Sequence, residues 1–164
     1  MPALGFEHHD HGACIDNAMR AATERCAAQG LQFTPARRRV LEILLKEHKA
    51  MGAYDILPHL ADDGMSAQPP VAYRALDFLV SNGLAHKIER LNAYVACADP
   101  AAHGGGAHSP AFLICRACGA VEEALAEADA SLVGAAAQRA GFTVERVVIE
   151  AEGLCPLCAK APPA

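Results

Sequence analysis

Two Cys-x-x-Cys pairs, Cys115-Arg-Ala-Cys118 and Cys155-Pro-Leu-Cys158, constrain this chain more than anything else in it. Each sits beside a tight turn, the first running into Gly119 and the second following Gly153. One such pair can hold a metal, form a redox disulfide or lie reduced in a core. Two pairs supply four soft thiolates, the donor set of a tetrahedral structural zinc with Zn–S bonds of about 2.3 Å. A thiol-disulfide oxidoreductase needs one pair only, placed where it opens a helix, whereas the first pair here lies between strand-like runs. The spacing therefore favours a zinc clamp made of Cys115, Cys118, Cys155 and Cys158, with the redox pair as its rival. The seven cysteines cannot all pair within one chain, and the N-terminal stretch, with its HHDH and mixed charge, does not read as a secretory signal. Thiols or metal ligands fit that combination better than a disulfide scaffold.

The rest of the 164-residue chain is long enough for one ordinary domain or two small ones. The N-terminal MPALGFEHHDHGAC has no periodicity and reads as loop. From Asp16 a helical pattern begins, with Ala18, Met19, Ala22 and Cys26 on one face and Gly30 as its stop. Thr34-Pro35 reads as N-cap and first-turn proline of a second helix that turns Val40, Leu41, Leu44 and Leu45 inward. Tyr54, Ile56, Leu57 and Leu60 suggest a short third helix, which Pro58 should weaken or kink. In QPPVAYRALDFLVSNG, Pro69-Pro70 pre-set a first turn and Asn82-Gly83 close the helix. Ala72, Ala75, Leu76, Leu79 and Val80 form its buried stripe, leaving Tyr73, Arg74, Asp77 and Ser81 on the other face. LAHKIE and AYVAC, around Arg90, Leu91 and Asn92, signal a β-hairpin. Three helices and a hairpin in that order describe a winged helix-turn-helix.

DPAAHGGGAHSP is the one clear linker, and the charge balance changes across it. Residues 31–96 carry eight Lys and Arg against seven Asp and Glu, whereas residues 97–164 carry four against eight. A near-neutral half beside an acidic one suggests two jobs. Beyond the linker, AFLIC and Ala120–Leu125 read as strands, Asp129–Ala140 as a helix ended by Gly141, and FTVERVVIEAEG as an alternating strand. The expected architecture is α+β: a tail over 1–15, a winged-helix DNA-binding domain over 16–97, a hinge over 98–110 and a small α/β metal-binding domain over 111–164. No apolar run approaches the roughly 20 residues of a membrane span, so a soluble cytoplasmic protein is expected. No nucleophile–base arrangement or phosphate-binding glycine loop argues for an enzyme.

Further ligand candidates are His86 and Cys97 on the hairpin, His103 and His108 in the linker, and Glu123 beyond it. Each has a plain alternative as a solvated or core-filling residue. Together they would supply one N/S/O site tying both domains across a flexible joint. Arg74 can pair with guanine O6 and N7 or clamp a phosphate, and Tyr73 can touch a thymine methyl or a phosphate. Arg37, Arg38 and Arg39 are phosphate-contact candidates, although a charge run is more often a solvated face.

The run PPVAYRALDFLVSNGLAHKIERLNAYVAC, with LICRACGAVEE and VIEAEGLCPLC, resembles the zinc-uptake-regulator branch of the ferric uptake regulator family over residues 16–158. The resemblance implies a homodimeric, zinc-responsive repressor of zinc-uptake genes that binds operator DNA. It implies a structural zinc on Cys115, Cys118, Cys155 and Cys158 and a regulatory zinc on His86, Cys97, His108 and Glu123, two Zn2+ per chain. Iron-sensing relatives show a His-rich run directly before the first Cys-x-x-Cys, where this chain reads AHSPAFLIC, which favours zinc. Iron, manganese or peroxide sensing remains the alternative within the family. The HHDH at residues 8–11 lies instead in the tail, ahead of Cys14, where His8, His9, His11 and Cys14 are either plain tail or an auxiliary metal site. The linker is lengthened by its glycine run, so His103 competes with His108 as a ligand. Val71-Ala72 replaces the family's Thr-Val at the start of the recognition helix, removing one hydroxyl that could contact phosphate.

Overall fold

The computed structural model describes residues 11–47, 49–98, 110–125, 130–145 and 147–160. Four helices come first: α1 (His11–Ala28), α2 (Pro35–Lys46), α3 (Ala53–Asp62) and α4 (Pro69–Ser81). The hairpin β1 (Ala85–Ile88) and β2 (Ala93–Ala96) follows them. A second sheet is built from β3 (Pro110–Cys115), β4 (Val121–Leu125) and β5 (Ile149–Gly153), with α5 (Ala130–Ala140) before β5 and α6 (Pro156–Lys160) after it. The fold is a winged helix-turn-helix followed by a small sheet domain, as the element order led one to expect.

Local chemistry accounts for the helix ends. The Thr34 hydroxyl accepts from the Arg37 backbone N–H, with Pro35 in the first turn where no donor is missed. Asp55 accepts from the Gly52 N–H at 2.9 Å, capping α3. That helix runs on through Pro58, because Pro58 and Tyr54, the residue whose carbonyl loses its partner, both lie on the exposed side. Ala75, Leu76 and Leu79 of α4 are buried against Val40, Leu41, Ile43 and Leu44 of α2 and Ile56 and Leu60 of α3 in one core. Gly83, at φ +67°, then turns the chain from α4 into the wing. An added Cβ there is strained whatever the space, so Gly83→Ala should destabilise the protein by about 1 kcal/mol. Urea unfolding measures this; unchanged stability would contradict the assigned turn.

Two expectations need correction. The segment before Asp16 is not all loop, since α1 begins at His11 and includes Cys14. Gly12, Ala13 and Cys14 at its start are exposed, and an exposed turn has no apolar repeat to announce it. The strand expected over FTVERVVIEAEG is confined to Ile149–Gly153. Its partner β3 offers only Ala111–Cys115 for pairing, and Phe142–Glu145 form no ladder.

The second sheet has the order β4-β3-β5, with β3 antiparallel to β4 and parallel to β5. Its register sets Glu123, Phe112 and Glu150 side by side in one row. Strand alternation puts that row on a single face. The face is the one the wing lies on: Ile88 packs with Phe112, Ile114 and Val121, with Val95 and Ala50 against them. Ala50 belongs to a short segment that joins both parts, through a Met51–Tyr94 bridge to the wing and a Lys49–Ala120 bridge beside the first cysteine pair.

Candidate metal centres

Cys115 ends β3, Cys118 closes the turn after it, Cys155 follows β5, and Cys158 lies in α6. Parallel pairing of β3 with β5 sets Cys115 against Gly153, so both knuckles arrive at the same end of the sheet. The four sulfurs fall within 4.8 Å of one another. The Cys118 and Cys155 Sγ atoms are 3.8 Å apart. A tetrahedron with Zn–S bonds of about 2.3 Å has edges of roughly 3.8 Å, whereas a disulfide requires about 2.05 Å. All four are free thiols. Backbone N–H groups of Cys118 and then Cys155 draw the Cys115 thiol down to about 6, while hydrogen bonding to the Cys155 and Cys118 sulfurs pushes Cys158 up to about 12. Zinc binding through Cys158 would therefore displace a proton. The second pair does open a short helix, α6, which Pro156 at its first position could have signalled. That feature alone suits a redox motif, but the gathering of four thiols does not.

The second cluster spans the two halves of the fold. His86 pairs with Val95 in the wing ladder, and Cys97, two residues beyond Val95, is held by donating its N–H to the Leu84 carbonyl at 3.0 Å. Strand alternation therefore puts His86 and Cys97 diagonally on one face. Both are buried. Glu123 comes from β4: Oε1 lies 3.1 Å from His86 Nε2, and Oε2 accepts from the Ala98 N–H at 2.9 Å. The Phe112 ring stands 5.4 Å from the imidazole and walls that side. The imidazole, thiol and carboxylate donor atoms all fall within 4.8 Å. Imidazole, thiolate and carboxylate in that space are a zinc-type donor set with a fourth position to fill. His103 and His108, the two candidates for it, lie outside the described residues. So do His8 and His9, while Cys14 is exposed on α1.

Tyr73 and Arg74 both lie on the exposed face of α4. Arg37, Arg38 and Arg39, by contrast, are held by neighbours. Arg37 lies 3.8 Å over the Phe78 ring, Arg38 lies over Phe33 and donates to the Thr23 hydroxyl, and Arg39 pairs with Asp63 and Glu42. They pin α1, α3 and α4 to α2, a role that a charge run does not reveal.

No protein-family model matches the chain. It is 39% identical over 137 residues to the zinc uptake regulation protein of Escherichia coli, covering 84% of this chain and 78% of that one. A solved zinc uptake regulator complexed with zinc and DNA superposes with a TM-score of 0.81 at 37% identity, covering 89% of this chain and 95% of that one. The holo form of XcZur gives a TM-score of 0.78 at 37% identity over 89% of this chain and 99% of that one. Its apo form gives 0.50 at 35% identity, over 90% and 99%. The covered shares hardly differ, so this chain resembles the holo arrangement rather than the apo one.

Proposed function

The chain belongs to the zinc uptake regulator branch of the ferric uptake regulator family, and from that premise we propose how it acts. It is a zinc-responsive transcriptional repressor that binds DNA through its winged helix-turn-helix. The observation that carries the mechanism is the meeting of buried His86 and Cys97, from the wing, with half-buried Glu123, from the sheet domain, in one cluster. A zinc ion held by these three and by His108 would bind well only when wing and sheet are placed as they are here. Zinc supplies a fixed, redox-inert crosslink between soft and hard donors. The chain's own residues do the rest: the Ala98 N–H orients Glu123, and Phe112 excludes water from the imidazole. The Cys115/Cys118/Cys155/Cys158 cluster would hold a second, structural zinc, giving two ions per chain.

DNA binding requires two such units. Leu113 and Ile149 are exposed on the sheet face away from the wing, and Val133, Phe142, Leu154 and Leu157 are exposed too. So much apolar surface on a small domain suits a homodimer interface, whose partner would be a second copy of the chain in the cytoplasm. No helix among the described residues is long and apolar enough to cross a membrane. With the wings fixed by zinc, the two α4 helices would enter successive major grooves roughly 34–36 Å apart. Without zinc, the competent arrangement becomes a minor population, and apparent affinity falls by that fraction.

The test is operator binding at buffered free zinc, iron(II) and manganese(II), and with chelator. Tight binding with zinc alone is the expected result; equal binding with chelator would overturn the reading. Arg74→Ala should weaken operator binding by about 1–3 kcal/mol if Arg74 reads a base, with relaxed discrimination at one position. A uniform loss across sequences with a salt slope smaller by about one would assign it to phosphate instead. No change in either would remove Arg74 from the interface.

A further inference from the structure

The sensory cluster joins the wing to the sheet at the base of the hairpin. At the other end of the hairpin there is a second junction without a metal ligand. Glu150 of β5 accepts from two successive backbone N–H groups of the wing turn, Glu89 at 2.7 Å through Oε1 and Arg90 at 3.0 Å through Oε2. The Arg90 guanidinium reaches Glu152, on the same face of β5, at 3.0 Å. Register explains the arrangement: Glu150 stands beside Phe112, and Glu123 stands on its other side. One row of the sheet thus grips the wing twice, with Glu123 at its base and Glu150 at its tip.

We infer that the Glu150 carboxylate, clasping the wing-turn amides, is a positioning residue that sets how much zinc the repressor needs. This rests on the zinc-dependent reading above. A carboxylate taking two N–H donors makes charge-assisted bonds, which are the stronger kind. The Arg90–Glu152 pair is half exposed, with side chains 56% and 36% accessible, and adds less. Neither contact depends on metal. Both exist only when the wing lies on the sheet, so they favour the same arrangement as zinc does and raise the competent fraction before any zinc binds. Losing the clasp lowers that fraction. The zinc midpoint and the metal-free DNA affinity should then worsen by one common factor, while DNA affinity at saturating zinc is unchanged.

The experiment compares wild type with Glu150→Gln and Arg90→Ala, each verified as a zinc-containing dimer by metal analysis and sedimentation. A glutamine has the same shape but presents an amide NH2 to one of the two N–H donors. Glu150→Gln should raise the free zinc at half-maximal operator binding by about ten-fold. Its operator affinity in chelator should fall by the same factor. Arg90→Ala keeps its backbone N–H and should shift the midpoint less, within about five-fold. A zinc midpoint in Glu150→Gln equal to that of wild type overturns the clasp. So does a loss of affinity that persists at saturating zinc, because that pattern belongs to a DNA contact. If wild-type binding itself ignores zinc, the zinc-responsive reading fails, and the clasp's role fails with it.

Discussion

Cys118→Ser should strip the structural zinc and, with it, the sheet domain. Zinc binding to four-cysteine sites is folding energy, on the order of 10 kcal/mol or more, whereas a whole domain is stable by only about 5–15 kcal/mol. The sheet domain has little else to hold this end together. Among its described residues the buried apolar side chains are few, chiefly Phe112, Ile114 and Val121, and these are shared with the wing. The three residues Ile149, Leu154 and Leu157 around the second knuckle are exposed. Circular dichroism, zinc content and sedimentation should therefore show lost sheet structure, lost metal and lost dimer together. Cys155→Ser should behave the same way. A folded dimer with normal zinc content would contradict the structural role.

Cys97→Ser should separate the two metals. The substitution removes a thiolate from the wing–sheet cluster but leaves the knuckles intact, because Cys97 belongs to a cluster separate from the four knuckle cysteines. The expected protein is a dimer with its structural zinc and no zinc-dependent rise in operator affinity. The lost response corresponds to a coupling of about 1–3 kcal/mol, or roughly 5–150-fold in affinity. His108→Ala should have the same effect. If His103→Ala has it instead, the linker ligand has been assigned to the wrong histidine. A Cys97→Ser protein that keeps the full zinc response excludes Cys97 from the site.

How much of this the sequence disclosed depends on how local each signal is. Helix α4 was legible to the residue, because prolines at one end and Asn82-Gly83 at the other are chemical punctuation, and the apolar stripe between them has one period. Ile43 escaped the expected core of α2 although it is buried as fully as Leu41 and Leu44. A helix that touches α1, α3 and α4 buries a wider arc than a single stripe. The four cysteines announced themselves by spacing, since each knuckle is a local turn. The wing–sheet cluster did not. His86, Cys97 and Glu123 are far apart in the chain, and what brings them together is hairpin register and the docking of Ile88 on Phe112. Their donor types marked them as candidates for one shared site, and the family resemblance selected the set. The Glu150 clasp was invisible for another reason: its donors are backbone N–H groups, which every residue but proline carries.

The central claim is that one zinc ion bridges wing and sheet in the arrangement that DNA also selects. Coupling free energy is reciprocal, so zinc must tighten operator binding and operator must tighten zinc binding by the same factor. A competitive zinc titration with a calibrated chelator, run with and without operator DNA, measures this directly. The bridging arrangement predicts a zinc affinity higher in the presence of operator by the factor that zinc confers on DNA binding, and no such difference in Cys97→Ser. Equal zinc affinity with and without operator DNA would contradict it, and so would an undiminished difference in Cys97→Ser.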